Sequence, residues 1–502
     1  MRTFYLLFVT LTAIIAHITA ENCLTNNDSQ TPNPDGKNKL YTGQQEFSLN
    51  LLQSINAHSP NSNIFFSPYS TYHALLMAYF ISSNTTEMYL KKVLKLDPKQ
   101  SKIDVFSAYK LDKLLSSIQR SGDYEFTNAN RIYVDKDIQV RSCIPPLFED
   151  ELQTQDFQNA PDVSRRNINS WVEERTHNMI KDILPPGSID SQTNLVLANA
   201  AYFKGLWENK FDAANTKLDV FHISPSNRTI VDMMNVQGSF NFDISEELGA
   251  HILELPYKGG DISMFILLPP FVKEDGVANI LKKLTLEQFQ KIVGDESKLW
   301  PRTVNVSLPK FNLERTIELV PILEAMGVGN LFRQDADFSQ LTGRKDVSLG
   351  RGIHKARVEV DERGTRAAAA TVLFTFRMMN DEPVIPFRAD RPFVFALYNR
   401  RVRTLLFLGI LDRMNIGDVF TQNSNFSVLT NQKVSLGNAL HKAKIEVNEE
   451  GTKAAAATVL FSFRSSRPAE PAIFNCKHPF VYIIYDKKEQ AILFQGVFRS
   501  PY

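Results

Sequence analysis

The chain has 502 residues, of which 43% are hydrophobic, and a formal net charge of +1. This length and composition allow a large buried core, in one large mixed domain or in several smaller ones. The near-neutral charge gives no electrostatic support for a nucleic-acid partner, so we exclude that class of function.

Residues 1–20 have the pattern of a secretory signal peptide. They contain one arginine and an apolar run from Phe4 to about Ile18, which is too short for a stable membrane span. We expect a secreted, extracellular protein with no membrane partner. Residues 21–40 are polar and rich in turn formers, which predicts a flexible lead-in and a fold that begins near Tyr41.

Two further features concern secretion. The chain has five Asn-x-Ser/Thr glycosylation sequons, at Asn27, Asn84, Asn227, Asn305 and Asn425. Asn305 lies in a strand-like run, so we expect a packed sheet to exclude a glycan there. The three cysteines, Cys23, Cys143 and Cys476, have no CxxC spacing and predict neither a disulfide framework nor a zinc site. A free thiol or an intermolecular bridge through Cys23 is the alternative.

The first predicted elements are mostly helical. Apolar residues recur at helical spacing over 44–55. A short apolar strand at 63–67 stops at Ser-Pro, and a largely apolar helix follows to Phe80. A further helix is predicted over 170–183, ended by Pro-Pro-Gly.

The middle of the chain is rich in strands. An apolar run over 194–211 predicts a strand that leads to Trp207, with Asn199 as its polar exception. A buried amide without partners costs about 1 to 3 kcal/mol, so Asn199 needs hydrogen bonds. From Phe221 several strands follow, and residues 304–319 enter a strand and then a helix that ends near Met326. The order of elements predicts an α+β protein.

The sequence lacks the motifs of common enzymes. It contains no HExxH, no GxSxG and no glycine-rich phosphate loop, and its nine histidines are scattered. We expect no catalytic residues, no metal, no cofactor and no enzyme activity.

The C-terminal part of the chain is duplicated, since residues 326–413 align with residues 414–502. Residues 360–377 are VDERGTRAAAATVLFTFR, and residues 447–464 are VNEEGTKAAAATVLFSFR. Two copies are too few for a solenoid, so one cassette has been copied whole.

Each copy contains a run of small residues that suits a strand between two existing strands. Side chains on a strand alternate between its faces, which places one small set on a single face. The first set is Thr365, Ala367, Ala369 and Thr371, and the second is Thr452, Ala454, Ala456 and Thr458. Together with Glu362 and Gly364, and with Glu449 and Gly451, these runs resemble the reactive-loop hinge of inhibitory serpins.

The resemblance implies a serpin fold with a large mixed central sheet, two smaller sheets, about eight or nine helices and an exposed reactive loop. It also implies a polar cluster below the point where the central sheet opens, formed by Ser67, Ser70, Asn199 and a histidine that both His354 and His441 match. Trp207, on the strand and turn that lead to the upper end of that sheet, is grouped with this sheet-opening cluster. In some serpins a basic helix binds sulfated glycosaminoglycan. The lysines of residues 87–102 suggest that partner here, although such a helix face is more often simply solvated.

The bait residue has two candidates in each copy. In serpins the scissile bond usually lies at a set spacing from the acidic start of the hinge. This spacing ends at Met378-Met379 in the first copy and at Ser465-Ser466 in the second. Arg377 and Arg464 lie one residue earlier, and an arginine offers a charge-assisted anchor in an acidic specificity pocket. We therefore predict Arg464-Ser465 and Arg377-Met378 as bonds offered to trypsin-like proteases. With Met378 as the bait, a chymotrypsin-like or elastase-like target is favoured instead.

The resemblance implies suicide inhibition of a serine protease by a monomer, through a covalent complex. The alternative is a non-inhibitory serpin that acts as a binding protein or chaperone. The rest of the serpin fold, which we call the body, has one place for a cassette. Two interpretations of the duplication therefore remain. Residues 326–413 and 414–502 are alternative cassettes for different proteases, or one chain carries both and the first copy docks.

Overall fold

The computed structural model describes residues 22–25, 28, 31–60, 62–118, 124–294, 297–345, 347–362, 383–414, 445–448, 451–454, 480–486 and 491–498. The chain divides into two compact units, Met1–Ser435 and Leu436–Tyr502. No helix among these residues has the length and apolar character needed to cross a membrane.

The described residues contain ten α-helices, all in the first unit. They are α1 (Gly36–His58), α2 (Pro68–Ile81), α3 (Asn84–Val93), α4 (Lys102–Ile118), α5 (Pro145–Phe148), α6 (Pro161–Arg175), α7 (Gly276–Lys283), α8 (Leu286–Val293), α9 (Leu319–Ala325) and α10 (Ser339–Thr342). Every residue of α2 is buried, which explains why its sequence is apolar all round rather than on one face.

The central sheet has five strands in the order β10-β11-β4-β2-β3. The strands are β2 (Tyr124–Asp135), β3 (Leu152–Gln155), β4 (Leu195–Gly205), β10 (Phe311–Glu318) and β11 (Leu349–Val360). Strand β11 comes from the first copy of the cassette, so that copy supplies part of the central sheet.

A second sheet has nine strands, in the order β1-β14-β13-β8-β7-β6-β9-β12, with β5 also on β6. The strands are β1 (Ile64–Phe66), β5 (Lys217–His222), β6 (Arg228–Ser245), β7 (Ala250–Pro256), β8 (Ile262–Leu268), β9 (Trp300–Pro309), β12 (Ile385–Arg388), β13 (Phe393–Asn399) and β14 (Thr404–Leu411). The two smaller sheets implied by the resemblance are continuous here, because residues 228–233 of β6 pair with β5 and residues 241–245 pair with β7.

Three apolar clusters hold these layers together. One lies among the helices that surround α2, and a second fills the space between the two sheets. The third packs α6 and the segment after it on the outer face of the central sheet. The central sheet is therefore covered on both faces, which accounts for the long apolar run of β4.

The N-terminal region corrects two expectations. Cys23 and Cys143 form a disulfide, and both are buried. Helix α1 begins at Gly36, so residues 21–40 are not a flexible lead-in throughout. An odd cysteine count cannot show which two cysteines the fold brings together, because that depends on contacts between residues distant in sequence.

The helix predicted over residues 170–183 has different bounds. Helix α6 begins at Pro161 and ends at Arg175. Proline is favoured at the first turn, where its missing N–H costs nothing. His177 and Asn178 have positive φ angles, and this left-handed backbone ends the helix well before Pro-Pro-Gly.

The second unit contains two short hairpins within the described residues. Strand β15 (Ile445–Asn448) pairs with β16 (Gly451–Ala454), and β17 (Phe480–Asp486) pairs with β18 (Ala491–Phe498). By sequence alignment, β15 corresponds to the end of β11, β16 to the predicted start of the hinge, and β17–β18 to β13–β14 of the first copy.

Candidate functional site

One junction in the central sheet is suited to receive a further strand. Strands β4 and β11 pair in parallel up to Tyr202 and Arg357, whereas β4 pairs antiparallel with β2 and β11 antiparallel with β10. Parallel pairing is slightly less stable per residue. A strand antiparallel to both would replace one parallel ladder with two antiparallel ladders. We call the β4–β11 junction the seam.

The seam is open at the end where both strands finish. Pairing across the seam stops at Tyr202 and Arg357, yet β4 continues beside β2 to Gly205 and β11 continues beside β10 to Val360. Over these last residues β4 and β11 do not pair with each other, so their facing backbone edges can pair with another strand. An incoming strand therefore has a place to begin.

The residues that follow β4 lie at the edge of this gap. The indole Nε1–H of Trp207 donates to the carbonyl of Asp361 at 3.0 Å. The Trp207 ring is buried and stacks on Tyr257, with 4.4 Å between ring centroids. The backbone N–H of Phe211 donates to the carbonyl of Glu362 at 3.1 Å. These contacts fix the point at which the chain leaves β11.

The side chain of Glu362 anchors the same point. Its carboxylate accepts the Thr216 hydroxyl at 2.8 Å and pairs with Lys310 at 3.0 Å. Partial burial acts to raise the pKa of Glu362, but hydrogen bonds from its own N–H, Thr216 and Lys310 outweigh burial, and its pKa is lowered. The carboxylate of Glu362, at the predicted start of the first hinge, is thus charged and held in place.

A buried polar cluster crosses the inner face of the seam below the gap. His354 of β11 lies beside Asn199 of β4, and its Nδ1–H donates to the Asn199 side-chain oxygen. The Nε2 of His354 accepts the backbone N–H of Ser67 at 2.8 Å, and the Asn199 amide donates to the Ser70 hydroxyl at 2.7 Å. The cluster joins both strands of the seam to the start of α2.

The cluster requires a neutral histidine. Burial lowers the pKa of His354 to about 3, so at neutral pH the ring has one donor and one acceptor nitrogen. The Asn199 oxygen uses the donor and the Ser67 N–H uses the acceptor. Protonation would place a second N–H against that of Ser67, which would break the link between β11 and α2.

A family model described as serpin (serine protease inhibitor) matches residues 42–411 and matches again over residues 409–501. The chain belongs to the serpin family. Serine protease inhibitor 88Ea of Drosophila melanogaster is 41% identical over 393 residues, which cover 75% of this serpin and 91% of that protein. Serpin B4 of Homo sapiens is 35% identical over 388 residues, which cover 74% and 98%.

Solved structures share the serpin fold. Uncleaved ovalbumin matches with a TM-score of 0.66 at 28% identity, covering 75% of this chain and 100% of that chain. Serpin48 of the insect Tenebrio molitor matches with a TM-score of 0.65 at 27% identity, covering 75% and 99%. The predicted serpin fold is confirmed, and relatives at 35% identity or more include proteins named as protease inhibitors rather than enzymes.

Asn130 of β2 also belongs to the polar cluster of this serpin. Its side-chain oxygen accepts the Asn199 amide at 2.5 Å and the Ser70 hydroxyl at 3.1 Å. The sequence around it, NANR, gave no signal, because Asn130 reaches the cluster only through its register opposite Asn199.

Trp207 lies apart from the cluster, which corrects its grouping with those residues. Asn199 pairs with His354 in the sheet, whereas Trp207 contacts Asp361. About 23 Å of extended strand separates His354 from Asp361, at about 3.3 Å per residue. The seam therefore has two distinct sites, the polar cluster below and the Trp207 contact at the gap.

The remaining sequence-based candidates lie mostly outside the described residues. Those of the first copy are Gly364, Thr365, Ala367, Ala369, Thr371, Arg377, Met378 and Met379. Those of the second copy are His441, Glu449, Ala456, Thr458, Arg464, Ser465 and Ser466. Gly451, Thr452 and Ala454 lie in β16, where Thr452 pairs with Val447 of β15.

The lysines of residues 87–102 do not form one helix face, because α3 ends and α4 begins within this range. Lys102 is buried and pairs with Glu87 at 2.8 Å. Lys91 donates to a backbone carbonyl, and Lys95 pairs with a carboxylate of this chain. These contacts weaken the glycosaminoglycan hypothesis. The described residues contain no group of His, Cys, Asp and Glu side chains placed to hold a metal ion.

The sequons differ in their surroundings. Asn305 is exposed on β9, so the premise that a packed sheet excludes its glycan is wrong. Asn227 is exposed in the turn between β5 and β6. The side-chain nitrogen of Asn84 donates to the buried Asp337 at 2.7 Å, which a glycan on that nitrogen must accommodate. Asn27 and Asn425 lie outside the described residues.

Proposed function

We propose that this serpin inhibits serine proteases by a suicide mechanism in which the cleaved reactive loop enters the seam. The observation that carries the proposal is the gap between β4 and β11 beyond Tyr202 and Arg357. It lies beside the point where the chain leaves β11 for the hinge. A loop that folds back there meets the ends of β4 and β11, which do not pair with each other.

Cleavage frees the loop for insertion. The serine hydroxyl oxygen of the protease attacks the carbonyl carbon of the bait residue, the following peptide bond breaks, and the new amine leaves with a proton. The bait residue stays on the protease as an ester. The freed strand then enters the seam from the hinge end, and small residues such as Thr365 and Ala367 fit between β4 and β11. New ladder hydrogen bonds drive this transition.

Trypsin-like proteases are the proposed targets, through Arg377-Met378 in the first copy and Arg464-Ser465 in the second. A guanidinium gives a bidentate, charge-assisted contact with a carboxylate at the base of a specificity pocket. Peptide sequencing of the cleaved chain identifies the bond, and a cut after Met378 would favour a chymotrypsin-like target instead.

We propose that the protein is secreted and acts outside the cell as a monomer. The pattern of residues 1–20 supports secretion, as does the Cys23–Cys143 disulfide, because disulfides persist in oxidising compartments and are rare in the cytosol. Glycosaminoglycan binding stays a prediction with little support from the lysine contacts described above.

Incubation with trypsin tests the mechanism. Residues 21–414 and residues 21–502 should each form a complex with trypsin that survives boiling in SDS. Cleavage of the loop by a protease that is not captured should raise the melting temperature of the chain. Trypsin with alanine in place of its active-site serine is the control and should form no such complex. If trypsin cleaves the chain and stays fully active, the result would instead favour a non-inhibitory serpin that acts as a binding protein.

The duplication has its own test. We propose that residues 326–413 and 414–502 are alternative cassettes for the same body. Mass spectrometry of the secreted protein should find peptides from only one copy in each intact chain. A single intact chain that contains both copies would support the other interpretation, in which one copy docks and the other is an appendage.

A further inference from the structure

Asn305 lies on the solvent-facing side of β9. Its neighbours in sequence, Val304 and Val306, are fully buried in the apolar cluster between the two sheets. Because side chains on a strand alternate between its two faces, Asn305 points away from that cluster, and it is exposed. The sequon Asn305-Val306-Ser307 therefore presents its acceptor amide to solvent.

The neighbouring strands leave space around this amide. Asn305 pairs with Gln237 of β6 on one side and with Pro386 of β12 on the other. Residues directly opposite each other share a face of the sheet, and both of these neighbours are exposed. A glycan on Asn305 thus extends into solvent without displacing a packed side chain, in contrast to one on Asn84, whose side-chain nitrogen donates to Asp337.

Strand β12 places Asn305 close to the reactive loop. It is the first strand after the loop, and it pairs in parallel with β9 from Ile385–Val304 to Arg388–Ser307. Asn305 is therefore one residue from the end of the ladder at which the chain enters β12. Met378 of the predicted scissile bond precedes Pro386 by eight residues, which limits their separation to about 27 Å even in a fully extended chain.

A protease held at this distance must cover part of the surface around the start of β12. A domain of about 200 residues has a radius of gyration of about 16 Å, and a specific interface buries about 800 Å² on each partner. An N-linked glycan is bulky and solvated, so on Asn305 it occupies space that an approaching protease needs. Approaches over the solvent-facing side of β9 are then blocked, whereas approaches from other directions are not.

We propose that Asn305 carries an N-linked glycan that partly blocks the approach of proteases to the reactive loop, and so slows inhibition and limits which proteases are captured. This inference rests on the proposed inhibitor function and on the proposed secretion, because N-glycans are added in the secretory pathway. Asn305 precedes both cassettes, so the restriction applies to whichever copy docks in the body.

The rate of trypsin inhibition by the full mature chain tests the proposal. Residues 21–502 are secreted from cells that add high-mannose glycans, and peptide mass spectrometry shows whether Asn305 is modified. Asn305→Gln should inhibit trypsin about tenfold faster than the natural chain, a difference of about 1.4 kcal/mol in the barrier. The number of inhibitor molecules consumed for each trypsin captured should not change, because that ratio depends on insertion into the seam and not on approach.

Two controls separate the glycan from the substituted side chain. Endoglycosidase H shortens each glycan to one sugar without changing the sequence, so it should speed inhibition by the natural chain but not by Asn305→Gln. Asn227→Gln removes another exposed sequon, in the turn between β5 and β6. Asn227 follows His222, whose backbone N–H donates to the carbonyl of Asp390 beyond the far end of β12, and we expect no change in rate.

Four results would each overturn the proposal. They are an unmodified Asn305 in the secreted protein, equal inhibition rates for Asn305→Gln and the natural chain, a gain in Asn227→Gln as large as in Asn305→Gln, and a gain in Asn305→Gln that endoglycosidase H does not reproduce in the natural chain.

The same measurements distinguish this inference from the proposed function. SDS-stable complexes that form at equal rates with and without the glycan would keep the inhibitor function and remove the role of Asn305. The absence of a complex in every form of the chain would overturn the inhibitor function and, with it, this role.

Discussion

The hairpins β13–β14 and β17–β18 are equivalent parts of the two copies and have the same strand register. The ladder of the first shifts after Leu397 and the ladder of the second shifts after Ile484, which are equivalent positions. The two sequences differ at most of the paired positions, so the shared register follows from the spacing of the apolar residues that both copies keep.

The hairpins differ in their neighbours. Strand β13 pairs with β8, and β14 pairs with β1, within the nine-stranded sheet. Among the described residues of the second unit, β17 and β18 form a two-stranded sheet by themselves. A hairpin can therefore form from its own sequence, but its place in a larger sheet depends on partner strands that exist once in the chain.

The largest expected difference between the copies concerns inhibition. Thr365→Arg in the full chain places a charge on the face that must enter the seam, and burial of an unpaired charge is costly. We expect the SDS-stable trypsin complex to be replaced by cleaved chain. Thr452→Arg in the same chain should leave the complex intact, but should abolish it in residues 1–325 joined to 414–502.

Gel densitometry after reaction with trypsin measures both variants of the hinge. Loss of the complex in the full-length Thr452→Arg variant would contradict the expectation that, in the full chain, the inserted loop comes from the copy that supplies β11.

Removal of cysteines should give the next largest difference in stability, between the body and the second copy. Cys23→Ser removes a disulfide that closes a long loop in the body, and we expect a loss of about 2 to 5 kcal/mol in the free energy of unfolding. Cys476→Ser, in the second copy, should leave the main unfolding transition unchanged. Guanidinium titrations measure both, and equal losses would show that the copies share one cooperative unit.

The equivalent residues Gly409 and Gly496 should give a smaller difference in stability between the copies. A Cβ at Gly409 would overlap the Phe395 ring and would lie 2.8 Å from the carbonyl oxygen of Ile64 on β1. We expect Gly409→Ala to cost about 1 to 3 kcal/mol of stability through overpacking. Gly496→Ala should leave the main transition of the body unchanged in calorimetry. Comparable shifts in melting temperature would mean that β18 also has a close neighbour in the body.

The smallest contrast concerns pH. The pKa of His354 is about 3 in the folded state, below the value of about 6.5 in an unfolded chain. The unfolded chain therefore binds the proton first, so this contribution is constant above about pH 6.5 and stability is lost as pH falls toward 3, by about 1 kcal/mol per pH unit.

His354→Gln should flatten this part of the stability profile, whereas His441→Gln should not. Urea titrations between pH 6.5 and 4.5 measure the slope. The same slope in both variants would mean that other groups cause it.

The sequence alone determined the elements whose physical signal is local. Apolar composition marked α2 and β4, and internal alignment marked the duplication. Asn199 was recognisable as a residue that needs partners, because an amide buried in an apolar strand must form hydrogen bonds.

The tertiary structure alone decided which distant residues meet. Asn130 joins Asn199 through sheet register, and Cys23 meets Cys143 across 120 positions of sequence. Periodicity specifies which face of an element is buried, but not which element lies against that face. That choice depends on how all the layers pack at once.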